Sequence, residues 1–531
     1  MEKENKRSLN YLIPLLMAVM MAGGLFLGKS FSSGESRELS ADGSNYQKIR
    51  DIVEILDHEY VDSVDAEKLF EQTIGDILQN LDPHSNYVSA AEMSAMNEQI
   101  EGRFGGVGVR FFIIRDTICV TGVLPNSPSE RAGLKPGDKI LQIDGKNVAS
   151  QSTSNEDVMK MLKGIEKTPV KVKLLRDGKR LNKKIIRGGI PIKSVVSSHM
   201  VDKSIGYLRI SNFSKTTSAE FRAASAKLKR SGMKKLILDL RGNGGGVLTG
   251  ATEIADEFLP AGKTIVVTKG EHVEDYTYRS SSVGDLKKTE VVVLINSTSA
   301  SASEILAGAL QDNDRGTIIG RRSFGKGLVQ QDFGLHDGSN LRLVVARYYT
   351  PTGRCIQKPY SGSVDDYYGE NMERYEHGEL FEKDSTSFAD SLKFKTPKGK
   401  IVYGGGGIMP DIFVPIDTTG TSFYFSRLRY SPVFTTFAFD FVQNKRNSWK
   451  SAGTYAKSFV VTNSVLNRFT NYARDEFGIG VMHADLAVSR DLIKNDIKGE
   501  IARQLWAEDG YFQVVNSGAP IIKVALKELR N

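Results

Sequence analysis

The sequence predicts a multidomain α/β protein, and three observations carry that reading. From Ile205 onward, short apolar runs bounded by turns alternate with segments of helical spacing, as strands and crossover helices do. Residues 101 to 190 are β-rich, with one short helical stretch and a glycine-rich entrance. The chain before 101 and after 417 carries apolar residues at helical spacing instead. A length of 531 residues suits three or four domains at roughly 150 residues each. Hydrophobic residues make up 40% and charged residues 25%, an ordinary globular balance that excludes a disordered, collagenous or multi-span membrane chain.

Residues 1–29 read as a short cytoplasmic stub and a membrane anchor or signal. Lys3, Lys6 and Arg7 precede Tyr11 to Gly28, an uncharged apolar run of 18 residues. As a helix it spans about 27 Å, enough for a bilayer core. No A-x-A site and no cysteine follow it, which favours an uncleaved single-pass anchor with its basic end in the cytoplasm. A cleaved signal peptide is the alternative. Either way the chain after Lys29 is expected outside the cytoplasm, on the periplasmic side of the cell envelope.

Residues 30–100 form a linker and a helical N-terminal region. The stretch 30–44 is small and polar. Ile49, Ile52, Val53 and Leu56 then make one stripe, and Leu69, Phe70, Ile74, Ile77, Leu78 and Leu81 a second. Such a hairpin can pack on the body or join two copies, so a homodimer or higher oligomer stays open. LDPHSNYV then turns the chain at Asp82-Pro83.

Residues 101–190 open on GRFGGVGVRFF and continue with strands at ICVTGVL, KILQIDG and VKVKLLRDG, and a helix at Asn155 to Lys163. A small strand–helix module with a glycine-rich entrance suits peptide capture by β-augmentation. In residues 191–416 strands are expected at IGYLRI, KKLILDL, TIVVT, VVVLIN, TIIG and LRLVVARYY. Helices are expected at Ser218 to Arg230, Val247 to Phe258 and Ser303 to Gln311. A polar, charge-rich excursion occupies 361–400, and GGGGIMPDIFVP reads as a return to the core. Residues 417–531 turn aromatic and then helical, with no legible chemistry.

The net charge of +8, from 71 basic and 63 acidic residues, is mild for this length. No basic motif interleaved with aromatics is present, so no nucleic-acid partner is expected. Cys119 and Cys355 stand alone, outside any CxxC or His/Cys cluster. They read as packing residues, and no metal or cofactor is expected. Glycine is the unusual component: 51 residues, where average usage predicts about 37.

Three segments concentrate reactive groups. In STSASASEILAGALQD, Ser301 follows a buried strand and directly precedes a helix. Free N–H groups at a helix start stabilise developing negative charge, so a serine there can be a nucleophile beside an oxyanion hole. Ser301-x-x-Glu304 equally matches a capping box, and that reading stands beside the first. In SFGKGLVQQ, Lys326 lies between two glycines. The seven histidines are scattered and no G-x-S-x-G occurs, so a buried lysine is the base on offer. Its free pKa near 10.4 would have to fall to about 7, a change worth roughly 4 kcal/mol that burial can supply. A lysine in a flexible loop is the plain alternative. DLRGNGGG resembles the GNSGG of trypsin-like proteases, but Gly244 stands where their serine would. Its glycines permit close backbone approach and N–H donors aimed at an oxygen, or simply a tight turn.

Taken together these strings resemble the tail-specific, or carboxyl-terminal processing, peptidases, serine proteases with a PDZ module and a Ser/Lys catalytic pair. The resemblance rests on LDPHSNYV, FGGVGV, LPNSPSERAGLKPGDKILQIDG, DLRGNGGG, SASASEILAGALQD, FGKGLVQ, YYTPTGRCIQ and GGGGIMPDIFVP, in that order. It implies a crotonase-like or ClpP-like α/β protease core with an inserted PDZ domain. It puts the nucleophile on Ser301, the general base on Lys326 and a lysine-orienting residue on Gln330. Oxyanion donors fall on the N–H groups of Ala302 and Gly246. Glu304 and Asp312 match recurrent acidic positions, for which a cap and a local ion pair are expected. Gly106, Val107, Gly108 and Val109 would receive a substrate carboxylate, in a module that gates the protease in this family. Residues 361–400 and those after 417 depart from the family's minimal pattern.

The function expected is a membrane-anchored serine endopeptidase that recognises apolar C-terminal tails of envelope proteins and cleaves them. A catalytically silent PDZ adaptor that binds protein C-termini is the alternative, and a thioester hydrolase or isomerase on the same core a distant third. Fourteen glycines fall in four clusters, at 102–108, 242–246, 325–327 and 404–407. Three sit where the reading needs bare backbone. The fourth has no sequence-level explanation.

Overall fold

The computed structural model describes residues 43–361, 363–383 and 390–531, so the expected anchor at 11–28 lies outside the described residues. Among the described residues no helix is long and apolar enough to cross a membrane. The chain divides into two compact units, Met1–Asp76 and Ile77–Asn531. The first contains the helix Gly43–Glu59 and most of Ala66–Gln79. Ile49, Ile52 and Phe70 of the expected stripes remain exposed there.

The second unit is built on a six-stranded sheet. Its order is Val195–Met200, Ile205–Ile210, Lys235–Asp239, Glu290–Ile295, Thr317–Gly320 and Ile412–Phe413. The first pair is antiparallel and every later pair is parallel. Strands buried on both faces are apolar throughout, which is why KLILD and EVVVLI show no polar alternation. Leu236, Leu238, Val291, Val293 and Ile295 face the helices Thr217–Arg230, Leu248–Phe258 and Ala302–Asp312. Tyr207, Ile237, Val292 and Leu294 face the opposite way, onto Ile521, Ile522, Ala525 and Leu529 of Pro520–Arg530. The last helix of the chain is thus part of the core's packing, although its sequence reads like the helices before it.

A second sheet runs Asn86–Val88, Asn340–Tyr349, Thr264–Lys269 and Tyr276–Arg279, with Leu328–Gly334 also paired to Asn340–Tyr349. The 101–190 module joins the body through a two-stranded ladder, Arg103–Gly106 against Gly188–Pro191. Its sheet runs Val109–Ile114, Thr117–Val123, Lys139–Ile143, Pro169–Arg176 and Lys179–Ile186. The helix Asn155–Leu162 closes that core with Val158 and Leu162. The excursion at 361–400 contains a helix, Val364–Glu376, capped by the Ser363 hydroxyl.

Residues 423–515 form a helical cluster around an aromatic core that includes Tyr424, Phe437, Phe441, Tyr455 and Phe469. Its longest helix, His483–Val515, is interrupted at Trp506 and Ala507. Cys119 is buried against Ile114 and Phe439, and both cysteines are free.

Candidate active site

The three reactive segments leave the same end of the main sheet. Lys235–Asp239, Glu290–Ile295 and Thr317–Gly320 are consecutive parallel neighbours, with Asp239 beside Leu294 and Ile295 beside Gly320. The loops that follow their carboxyl ends therefore start side by side, where open α/β sheets hold their ligands.

The first loop is anchored by Asp239, which is fully buried. It accepts hydrogen bonds from Tyr207 Oη at 2.6 Å, Arg209 Nη1 at 2.7 Å and Arg241 Nε at 2.9 Å. Burial alone would raise its pKa, but Arg241 and Arg209 hold it well below the usual carboxylate range. Asn243 then ties this loop to the next. Its carbonyl accepts the Ala300 N–H at 3.0 Å and the Ser303 hydroxyl at 2.9 Å, and its Oδ1 accepts the Gly245 N–H at 2.9 Å. This seats Gly245 against the serine: a Cβ there would lie 2.7 Å from Ser301 Cβ and 3.1 Å from the Ala302 nitrogen. Among the described residues, neither the Gly246 nor the Ala302 N–H donates to a protein acceptor.

Ser301 stands at the start of Ala302–Asp312 with φ 55° and ψ −115°, outside the regions open to residues with a Cβ. Such strain costs of order 1–3 kcal/mol and persists where the surroundings enforce it. The expected capping-box pairing of Ser301 and Glu304 is present, though without a hydrogen bond to the Ser301 hydroxyl. Glu304 accepts the Ser301 N–H at 2.8 Å, but the Glu304 N–H goes to the Ser301 carbonyl, also at 2.8 Å. The Ser301 hydroxyl makes no cap bond.

Glu304 does more than cap. Its buried carboxyl also accepts Ser323 Oγ at 2.5 Å, the Gly325 N–H at 2.7 Å and the Lys326 N–H at 2.9 Å. Burial raises its pKa to about 7 against the pull of these donors. From the other side, Tyr348 Oη donates to the carbonyls of Lys326, at 2.7 Å, and Ser301, at 3.2 Å. One carboxyl and one phenol thus hold the backbones of serine and lysine in fixed relation. Tyr348 carried no signal beyond its place in YYTPTG, and Glu304 read only as a cap. Asp312 makes a buried pair with Arg354 Nη2 at 2.7 Å, the local ion pair expected of it.

Lys326 Nζ donates to Gln330 Oε1 at 2.7 Å, and Gln330 Nε2 donates to the His84 carbonyl at 2.7 Å. Burial, then the Arg342 cation, lowers the amine's pKa to about 8, while Glu304 and Asp82 oppose the fall. Among the described residues no hydrogen bond joins Lys326 Nζ to Ser301 Oγ. Both residues nevertheless line one cleft of about 680 Å³, together with Ala302, Gly246, Gln330 and Tyr348. The cleft's apolar wall includes Met96, Ile100, Leu248 and Ile305.

The glycines of 404–407 meet the lysine loop back to back. A Cβ on Gly407 would lie 2.8 Å from Ser323 Oγ and 3.1 Å from the Gly325 nitrogen, and one on Gly325 would lie 3.1 Å from the Gly407 nitrogen. Gly106, Val107, Gly108 and Val109 lie outside this cleft, on the 101–190 module. They lead into Val109–Ile114, which is paired along one side only and ends its sheet. Among the described residues no three His, Cys, Asp or Glu side chains gather as a metal-binding group.

The profile of peptidase family S41 matches residues 204–367, and that of the PDZ domain matches 105–186. A family of unknown function matches 424–507. The chain is 39% identical over 350 residues to a carboxy-terminal-processing protease of Bartonella bacilliformis, covering 64% of this chain and 80% of that protein. It is 34% identical over 317 residues to a protein of Staphylococcus aureus named "Probable CtpA-like serine protease", covering 59% of this chain and 63% of that one. Among solved structures, the photosystem II D1 C-terminal processing protease is 28% identical, with a TM-score of 0.33, over 59% of this chain and 90% of that one.

Proposed function

This chain belongs to the carboxy-terminal-processing serine proteases of peptidase family S41, and from that premise we propose how its residues cleave and what they cleave. The substrate is an envelope protein with a free apolar C-terminus. Its terminal carboxylate rests on the backbone of residues 106–109, and the tail adds as a strand to the open edge of Val109–Ile114. The scissile bond lies over Ser301. Lys326, uncharged, takes the hydroxyl proton as Oγ attacks the carbonyl carbon, while Gln330 Oε1 orients the amine. The N–H groups of Ala302 and Gly246 receive the oxyanion. The lysine returns its proton to the leaving amine, and water then releases the acyl group by the same steps. Residues 11–28 anchor the protein, with this machinery on the extracytoplasmic side.

The observation that carries this reading is the double tie between serine and lysine through Glu304 and Tyr348, across a cleft that leaves the hydroxyl uncommitted. The test is cleavage of an unfolded protein ending in apolar residues. Ser301→Ala and Lys326→Ala are each expected to reduce turnover by at least 10³-fold, since members of such a unit fail together. Retained cleavage in either variant overturns the Ser/Lys assignment. Tail binding without turnover in the unaltered chain would favour a PDZ adaptor instead.

A further inference from the structure

The base in this reading is a lysine, whose long flexible side chain must be held for its lone pair to face the serine. Its only described side-chain hydrogen-bond partner is Gln330, and the orientation of that amide is itself dictated from behind. A backbone carbonyl can only accept, so the His84 carbonyl at 2.7 Å draws the Gln330 NH2 toward itself and leaves Oε1 facing Lys326. The His84 position therefore sets which atom the lysine meets.

His84 is gripped by two tyrosines of the Val364–Glu376 helix, in the excursion that departs from the family's minimal pattern. Tyr367 Oη lies 2.9 Å from His84 Nε2, and Tyr368 Oη lies 3.3 Å from Nδ1. Both phenol rings stand edge-on to the imidazole, at 5.1 and 6.1 Å between centroids. Tyr368 Oη also donates to the Pro83 carbonyl at 3.0 Å. A second connection reaches the other side of the base. The Gly327 N–H donates to Gln357 Oε1 at 2.8 Å, and Gln357 Nε2 donates to Tyr367 Oη at 3.1 Å. One arrangement of protons satisfies every group: Gln357 donates to Tyr367, Tyr367 to Nε2, and Nδ1–H to Tyr368, which donates to Pro83. That arrangement needs an uncharged imidazole. Burial first, then the Lys326 charge, lowers the His84 pKa to about 4, while Asp82 opposes the fall.

The helix itself is fastened to the loop that carries the base. Arg374 donates to the carbonyls of Arg322, at 2.8 Å, and Ser323, at 3.1 Å. Glu370 pairs with the buried Lys358 at 2.5 Å.

We propose that Tyr367 and Tyr368 are positioning residues for Lys326, acting through His84–Gln330 on one side and Gln357–Gly327 on the other. The excursion is thereby part of the catalytic mount. This rests on Lys326 being the base, and the experiment separates the two claims.

Tyr367→Phe, Tyr368→Phe and the double variant keep the rings and remove the hydroxyls. Tyr375→Phe, on the same helix but set edge-on to Phe381, is the control. Steady-state cleavage of the unfolded apolar-tailed substrate is measured beside the thermal midpoint. Each single variant is expected to lower kcat roughly fivefold, the rate equivalent of one net hydrogen bond, and the double variant more than tenfold. At a temperature where every variant stays folded KM should be unchanged, the loss of the buried hydroxyls should lower the thermal midpoint by only a few degrees, and the control should match the parent chain. A double variant with the parent's kcat, or a loss expressed in KM, overturns the proposal. Should Lys326→Ala retain cleavage, the underlying Ser/Lys reading fails. An inactive Lys326→Ala beside an unaffected double variant overturns only the positioning role.

Discussion

At the scale of single residues, Lys326 shows burial and neighbouring charge acting together. Desolvation and Arg342 bring its amine down to about 8, against Glu304 and Asp82. In the proposed mechanism the amine below that pH is an ammonium with no lone pair to accept the Ser301 proton, and above it the amine is neutral. With chemistry rate-limiting, kcat/KM should rise about tenfold per pH unit on the acid side of about 8 and level off above it. Arg342→Gln removes a cation that favours the neutral amine and frees Asp332, its partner at 2.7 Å, to favour the ammonium. Both effects raise the lysine's pKa, so the midpoint of the profile should move to higher pH. A midpoint that stays put or falls contradicts this account of the shift. Ser301 shows the complementary case, a backbone strained by its surroundings while its hydroxyl is left without a cap bond.

At the scale of elements, the loops are placed by bare backbone. The 404–407 run, which the sequence leaves unexplained, is the surface on which the lysine loop rests. Gly405 and Gly407 donate to the carbonyls of Cys355 and Ile356 at 2.7 and 2.8 Å, and Ile408 donates to Ser323 Oγ at 2.6 Å. The same Ser323 hydroxyl donates to Glu304, so Ile408, directly after the run, reaches the site in two hydrogen bonds. Gly407→Ala would push a methyl to 2.8 Å from Ser323 Oγ and 2.9 Å from the Ser323 carbonyl, at a φ of 87°. Gly399→Ala has a similar φ of 83° and meets nothing within 4 Å. Gly399→Ala therefore reports backbone strain alone, about 1 kcal/mol. Gly407→Ala should lower the thermal midpoint further and reduce kcat at least tenfold, as 1 Å displacements at a site do. Equal effects of the two substitutions would show that the contact with Ser323 does not matter.

At the scale of the whole molecule, the helical cluster 423–515 touches both the peptide-binding module and the protease core. Arg115 of the module bonds Asp440 at 3.0 Å and Glu476 at 2.7 Å, and Phe439 packs on Ile114 and Cys119. On the core side Asp509 accepts from Ser197 Oγ at 2.9 Å, and Phe512 lies under the Arg209 guanidinium at 4.5 Å. The break at Trp506–Ala507 falls just before these core contacts. Of the module's contacts, the buried ring should dominate. Phe439→Ala loses a fully packed phenylalanine, typically 3–5 kcal/mol. Arg115→Ala loses half-exposed ion pairs, typically below about 1 kcal/mol. Hydrogen exchange in residues 109–123 should accelerate strongly in Phe439→Ala and slightly in Arg115→Ala. The reverse order would mean that charge, not packing, holds the module.

The sequence alone determined the classes of element and singled out the candidate residues. Uninterrupted apolar runs fixed the buried strands, and helical spacing with polar starts fixed the helices, because both patterns are local. Ser301, Lys326 and Gln330 could be picked out as candidates because their motifs are contiguous and follow one order. The tertiary structure alone decided what those residues meet. Parallel pairing of three neighbouring strands brings loops 240–247, 296–301 and 321–327 together, and no local pattern encodes that adjacency. Glu304 changed from a cap to a four-donor hub, and Tyr348 gained a role, because both roles depend on groups about 20 to 50 positions away. The 404–407 glycines and the tyrosines at 367 and 368 were opaque for the same reason. Their decisive partners, Ser323 for Gly407 and His84 and Pro83 for the tyrosines, lie 84 to 285 residues away in the chain, and only packing in three dimensions brings them within reach.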